Sequence, residues 1–275
     1  MPVLDGAWAR LDSWPVDHAA AVVVTTEGIF THGDVLRRQR IASVSKPLVA
    51  YACLVACEEG SISLDDPIGQ PGCTVRHLLA HAGGYPFEGA SPVGKPGTRR
   101  IYSNTGFEML ADHVERSSGI AFAEYLSQAV FEPLAMMRTS LEGSPAKDVW
   151  STVDDLASFL GELRNPRLLA RETFLDAVMP VYPSLAGIVP GVGSFDPCPW
   201  GLGFEIRGDK SPHWTGSRNS RLTFGHFGGV GTFLWVDPVA DVAVAMLAER
   251  EFDEWGMAHW PAFSDEVLMA LGRGL

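Results

Sequence analysis

The chain has 275 residues and a formal net charge of −12, from 21 Lys and Arg against 33 Asp and Glu. With 46% hydrophobic and 20% charged residues, it has the balance of a folded globular protein of one large domain or two lobes. The acidic excess argues against a nucleic-acid partner, because few basic side chains are present to neutralise phosphates. No apolar run approaches the roughly 20 residues of a membrane span.

Two further features predict the compartment. Residues 1–14 lack the basic start and apolar block of a secretory signal. The four cysteines, at positions 53, 57, 73 and 198, show no C-x-x-C spacing and favour free thiols over a disulfide framework. We therefore expect a cytoplasmic protein.

The predicted elements change character along the chain. Short β-branched or apolar stretches predict strands at both ends, and longer apolar stretches predict helices between them. Residues 180–200 are rich in Pro and Gly and predict a long loop. The predicted strands are 19–25, 28–31, 202–207, 221–227, 232–236 and 242–247. The predicted helices are 48–59, 75–81, 107–117, 122–131, 153–163 and 261–271.

This order predicts an α+β fold, an α/β sandwich in which both termini build one antiparallel sheet flanked by helices. A mainly helical lobe is inserted between the two parts of the sheet. We expect one domain over residues 1–275, with a sheet lobe from 1–60 and 200–275 and a helical lobe over 61–199.

The first candidate site is the segment ASVSKP at residues 42–47, where a loop enters an apolar helix. Ser43 and Lys46 are three residues apart, so their side chains share one face of a helical turn. A serine hydroxyl is a weak nucleophile until a base removes its proton, and a lysine of lowered pKa is such a base. The chain has only four lysines, and Lys46 opens its most apolar helix.

Two further segments carry side chains of the same chemistry. Tyr102 and Asn104 are two residues apart and face the same way if the segment is extended. His226 and Gly228 share one side of a predicted edge strand, and Gly229 follows them. A phenol can move a proton, a carboxamide can hold a carbonyl or an amine, and glycines let a ligand approach.

Together, the ordered set S-x-x-K, Y-x-N and H-x-G resembles the serine β-lactamase-like and penicillin-binding-protein family. The branch with class C β-lactamases, D-alanyl-D-alanine carboxypeptidases and their esterase relatives is the most similar. The similarity spans residues 20–250 and extends to further segments: LDDP at 64–67, VRHLLAHAGG at 75–84, PLAM at 133–136, WGLGF at 200–204 and VDP at 236–238.

The resemblance implies a role for each of these residues. Ser43 would be acylated, Lys46 would take its proton, and Tyr102 would act as general acid and base. Asn104 would orient the substrate carbonyl and Lys46. Backbone N–H groups of Ser43 and Gly229 would form the oxyanion hole, with His226 and Gly228 at the substrate.

The chain departs from the lactamase pattern at His226, where a lysine is usual. A histidine near its reference pKa is mostly neutral at pH 7, so it suits a substrate carboxylate less well than lysine. The chain is also shorter than typical class C enzymes. The histidine is similar to the esterase and peptidase relatives, and the shorter length implies trimmed specificity loops. The missing export signal favours an intracellular substrate.

We therefore interpret the chain as a serine hydrolase that forms an acyl-enzyme with a small-molecule ester, amide or peptide. An esterase is the first choice, and a β-lactamase or a D-amino-acid peptidase or amidase is the alternative. A non-catalytic sensor that binds a peptide or cell-wall fragment is an alternative of another class. No cofactor is expected, and no metal either, although His77 and His81 have a spacing that can bind zinc. The G-x-S-x-G and nucleotide-binding motifs are absent.

Overall fold

The structure is a computed structural model that describes residues 4–274. Its helices are α1 (Asp5–Asp12), α2 (Ser45–Glu58), α3 (Val75–Leu79), α4 (Asn104–Ser118), α5 (Phe122–Leu126), α6 (Val153–Arg164), α7 (Arg171–Val178) and α8 (Glu254–Ala270). Its strands are β1 (Ala19–Val24), β2 (Ile29–His32), β3 (Gln39–Arg40), β4 (Ser140–Leu141), β5 (Val149–Ser151), β6 (Gly187–Val189), β7 (Gly193–Phe195), β8 (Glu205–Ile206), β9 (Phe224–Gly228), β10 (Thr232–Asp237) and β11 (Val242–Ala248).

Both ends of the chain meet in one antiparallel six-stranded sheet of order β2-β1-β11-β10-β9-β8. Strand β1 pairs with β11 from Ala19 opposite Ala248 to Val24 opposite Ala243. These two strands are apolar throughout because helices cover both faces of the sheet. The predicted α+β fold, with a sheet built from both termini, is confirmed.

The two faces of the sheet bury two separate apolar cores. Val22 and Val24 of β1 face the core formed with α2, α4 and α6. Val23, between them, faces the core formed with α1 and α8, where Trp260 and Phe263 are fully buried. Successive side chains of β1 thus point to opposite faces of the sheet, and both faces are covered. Helix α2 packs against one of these faces.

Several predicted bounds need correction. Helix α8 begins at Glu254, seven residues before the predicted start, because the Asp253 side chain caps it by accepting from the Trp255 N–H. Pro261, the predicted first residue of this helix, lies inside it. Helices α1 and α7 were not predicted, and the predicted loop over 180–200 contains the β6–β7 hairpin.

The position of β9 also differs from the prediction. The short strand β8 lies outside it, with Glu205 opposite Gly225 and Ile206 opposite Phe224, so β9 is not the edge strand. The pairing of β8 with β9 ends before His226, so within residues 4–274 the second half of β9 has no neighbouring strand on that side. The division into lobes at residues 60 and 200 stays a prediction.

The cysteines and the helices bear on the setting of the protein. All four cysteines are unpaired, as predicted. Within residues 4–274, none of the helices has the length and apolar character needed to cross a membrane.

Candidate active site

Ser43 lies in a short 3₁₀ turn, Ala42–Val44, that leads directly into α2. Ala42 has a left-handed backbone with φ of 46°, which a non-glycine residue adopts at a cost and which is concentrated at functional sites. The Ser43 side chain lines a cavity between the sheet and the helical region. Ser45, by contrast, is fully buried, and its hydroxyl donates to the Ala42 carbonyl oxygen and accepts from the Val149 N–H.

Lys46 is fully buried beside Ser43, as the spacing predicted. Its Nζ lies 3.3 Å from Ser43 Oγ and 2.7 Å from Asn104 Oδ1, and it donates to the Ala146 carbonyl oxygen at 2.9 Å. Burial, assisted by the charge of Lys147, holds the pKa of Lys46 well below its ordinary value. No carboxylate within residues 4–274 forms an ion pair with Lys46. No neighbouring negative charge therefore holds the proton on the amine, and Lys46 can be the neutral amine that a base requires.

Tyr102 lines the same cavity as Ser43, and burial raises its pKa, which keeps the phenol protonated at neutral pH. A hydrogen bond with the Ser43 hydroxyl opposes that shift. Lys46 Nζ is 4.7 Å from the centre of the Tyr102 ring. The two pKa values are therefore shifted in opposite directions, so Lys46 is the proton acceptor of the pair and Tyr102 is the group that holds a proton.

His226 faces the Tyr102 phenol, with its Nε2 3.4 Å from the hydroxyl oxygen. Its Nδ1–H donates to the Phe227 carbonyl oxygen at 2.7 Å, which leaves the Nε2 lone pair directed at Tyr102. Burial and the charge of Lys46 lower the pKa of His226 to about 3. The imidazole is thus neutral, and it gives the Tyr102 O–H an acceptor.

The remaining predicted residues separate into two groups. Asn104 begins α4 and contacts Lys46, and Gly229 lies in the cavity wall. Gly228 lies against the turn that carries Ser43, where an added Cβ would overlap the Ile41 carbonyl oxygen. Close backbone packing therefore explains the glycine at position 228, and it is not among the residues that line the cavity.

The cavity has a volume of about 250 Å³ and a mostly aromatic and aliphatic lining. Its one charged lining residue, Glu205, is an ion-pair partner of the buried Lys210 at 2.9 Å and accepts from the Trp214 Nε1–H at 2.6 Å. No cation from residues 4–274 is among the lining residues. The lining residues are Ser43, Phe87, Tyr102, Val189, Pro190, Gly191, Trp200, Glu205, His226, Phe227, Gly229 and Phe252.

His81 belongs to this site, although the sequence suggested at most a metal ligand. Its ring packs 4.5 Å from that of Tyr102 and 4.7 Å from that of Trp200, and its Nδ1 accepts from the Ser103 N–H. Burial lowers the pKa of His81 well below its ordinary value. His77 bonds to Thr74 instead, and the described residues hold no group of three metal-ligating side chains.

Comparison with known proteins identifies the family of the chain. A family model described as Beta-lactamase matches residues 34–268 of the chain. The chain belongs to the β-lactamase family. A crystal structure described as a β-lactamase from Mycobacterium bovis is 51% identical to it, with a TM-score of 0.94, and the match covers 96% of this chain and 98% of the other.

More distant relatives share parts of the chain or only the fold. Penicillin-binding protein 4* of Bacillus subtilis is 30% identical over 36% of this chain and 29% of that protein, and a β-lactamase of Escherichia coli is 26% identical over 46% and 45%. The chain thus matches less than half of the length of these curated relatives. A penicillin-binding protein homologue from Pyrococcus abyssi, described as octameric, shares the fold at 21% identity, a TM-score of 0.76 and coverage of 99% and 77%.

Proposed function

We propose that the protein is a serine hydrolase that acts through an acyl-enzyme, with small uncharged esters as its preferred substrates. The observation that carries the proposal is Lys46, a buried amine of lowered pKa, 3.3 Å from the Ser43 hydroxyl. Ser43 is the reactive serine because its side chain reaches the cavity, whereas both hydrogen-bonding functions of the Ser45 hydroxyl are occupied within the protein.

In acylation, Lys46 Nζ accepts the Ser43 proton while Oγ attacks the substrate carbonyl carbon. The backbone N–H groups of Ser43 and Gly229 hold the resulting oxyanion. Tyr102 donates its proton to the leaving oxygen as the ester bond breaks, and the proton on Lys46 replaces the one that Tyr102 gave. Water then attacks the Ser43 ester and gives a proton to Tyr102 as Tyr102 passes its own proton to the neutral Lys46 amine. Lys46 returns this proton to Ser43 Oγ as the acid leaves, which restores all three side chains.

The charges around the cavity favour an uncharged substrate. A substrate carboxylate needs a cation, and His226 is neutral at any pH well above 3. Within residues 4–274, the one charged side chain in the lining is the Glu205 carboxylate, which is paired with Lys210 and so offers no positive charge to a substrate carboxylate. Aromatic walls from Phe87, Trp200 and Phe252 instead suit an apolar acyl group.

A β-lactamase or a peptidase of D-amino-acid substrates is the second candidate. The similarity to a structure described as a β-lactamase, and to the D-alanyl-D-alanine-carboxypeptidase/endopeptidase AmpH of Escherichia coli, favours it. A sensor that binds without turnover is the third. The four unpaired thiols support a reducing, cytoplasmic setting for each of these.

Intact-mass measurement with a fluorophosphonate tests the nucleophile, on wild type, Ser43→Ala and the matched control Ser45→Ala. We expect one adduct on wild type and on Ser45→Ala, and none on Ser43→Ala. An adduct that persists in Ser43→Ala would contradict the mechanism. Labelling without turnover of any ester, amide or cephalosporin would favour the sensor.

A substrate panel then tests the preference for uncharged esters. Wild type should hydrolyse p-nitrophenyl butyrate faster than a chromogenic cephalosporin, whose carboxylate finds no cation. His226→Lys places a cation in the cavity and should raise the cephalosporin rate relative to the ester rate. Cephalosporin turnover above ester turnover in wild type would favour the β-lactamase hypothesis over the esterase hypothesis.

A further inference from the structure

Arg100 is a buried cation without an acidic partner. Arg100 is only 2% exposed, and no carboxylate within residues 4–274 forms an ion pair with its guanidinium. The guanidinium donates instead to backbone carbonyl oxygens. Nε donates to Cys198 at 3.1 Å, Nη1 donates to Ala80, and Nη2 donates to Val181 at 2.8 Å and Tyr182 at 3.1 Å.

Two of these carbonyls, those of Ala80 and Cys198, belong to the segments that carry the aromatic rings beside Tyr102. Ala80 precedes His81, Cys198 lies two residues before Trp200, and Arg100 itself lies two residues before Tyr102. The three rings contact one another, with 4.5 Å between the centres of His81 and Tyr102 and 5.8 Å between those of Tyr102 and Trp200. One guanidinium therefore joins the backbones of all three segments.

The chemistry of this contact requires arginine. A planar guanidinium presents five N–H donors in a fixed fork, whereas a lysine ammonium offers three donors at one point. Burial lowers the pKa of Arg100 to about 10, so the side chain remains charged at neutral pH. Burying a charge with no counter-ion costs stability, which the hydrogen bonds to four carbonyl oxygens offset.

We propose that Arg100 is a positioning residue for Tyr102, holding the His81, Tyr102 and Trp200 segments together so that the phenol stays between Ser43 and His226. The inference rests on the proposed function, in which Tyr102 gives its proton to the leaving group. Loss of the guanidinium displaces the phenol and leaves the Ser43–Lys46 pair, which is held by α2, in place.

The variant Arg100→Lys keeps the charge and removes the fork. Its effect is read as kcat/KM for two esters of one acid, ethyl butyrate and p-nitrophenyl butyrate. Ethoxide needs a proton to leave, whereas p-nitrophenolate leaves without one, so only the first ester depends strongly on Tyr102. We expect a loss on the order of 100-fold for ethyl butyrate, as for a catalytic group misplaced by about 1 Å, and about tenfold or less for p-nitrophenyl butyrate.

Controls separate positioning from general damage. Arg207 also donates to backbone carbonyls, those of Gly216 and Gly208, but away from the cavity, so Arg207→Lys should keep the wild-type ratio of the two esters. In the Tyr102→Phe background, Arg100→Lys should cause little further loss, because the group through which it acts is already absent. If Arg100→Lys does not fold, Arg100→Gln takes its place.

Equal losses for the two esters, wild-type activity in Arg100→Lys, or full additivity with Tyr102→Phe would each overturn the inference. A failure of the proposed function is distinguishable, because it needs no Arg100 variant and appears as fluorophosphonate labelling that persists in Ser43→Ala.

Discussion

Replacing His226 by glutamine should make the protein more resistant to acid. His226 is buried on β9, and burial together with the charge of Lys46 lowers its pKa from 6.5 to about 3. A base whose pKa is lower in the folded state binds protons preferentially when unfolded. Its contribution to stability is therefore complete above pH 6.5 and is lost as the pH falls from 6.5 towards 3.

The size of the effect follows from these two values. At pH 5 an unfolded histidine is protonated about 30 to one while folded His226 stays neutral, which corresponds to about 2 kcal/mol of lost stability relative to pH 7. His226→Gln cannot be protonated, and it should lose about 2 kcal/mol less than wild type over this interval.

Urea unfolding at pH 7, 6 and 5, followed by tryptophan fluorescence, measures the difference. The pKa values of His81 and His213 are also lowered by burial, but both residues remain in the variant, so the comparison isolates His226. The exposed His18 provides a control, and His18→Gln should lose as much stability as wild type. An equal loss in wild type and His226→Gln would refute the reasoning.

Two more predictions concern the base and the turn beside it. Lys147→Gln removes a positive charge that lowers the pKa of Lys46, so the acid limb of the kcat/KM profile should move to higher pH; an unmoved limb would assign it to another group. Gly228→Ala places a Cβ against a backbone carbonyl oxygen and should destabilise the protein by about 1–3 kcal/mol in urea unfolding. Gly229→Ala, with no atom within 4 Å of the added Cβ, is its control, and equal stabilities would contradict the packing role of Gly228.

The parts of the site that local spacing determines could be predicted from the sequence. Ser43 and Lys46 are three residues apart, and a helical turn alone brings them to 3.3 Å. The contact between Tyr102 and His226 joins residues 124 positions apart, and only the resemblance to a known family placed them together. Their roles in catalysis remain predictions.

Other features of the site and fold could not be predicted from the sequence. Arg100 bonds to backbone carbonyls, which every residue possesses, so nothing in the sequence marks its partners. His81 has the i, i+4 spacing to His77 of a helical pair, but α3 ends at Leu79 and His81 has a left-handed backbone, with φ of 53°, which turns it towards Tyr102. Proline is a frequent first residue of helices, and for that reason the sequence predicts a helix start at Pro261. Only the side-chain cap at Asp253 shows that α8 begins at Glu254.

The polar residues of the proposed active site lie on or beside helices and strands, whereas three residues of the cavity wall lie in loops. Ser43 lies at the start of α2, Asn104 begins α4 and His226 is on β9, whereas Phe87, Pro190 and Phe252 come from connecting segments. Loops accept substitutions and insertions more readily than the elements they connect. Substitutions in these three wall segments should therefore change which acyl group the proposed active site admits, while Ser43, Asn104 and His226 keep their positions.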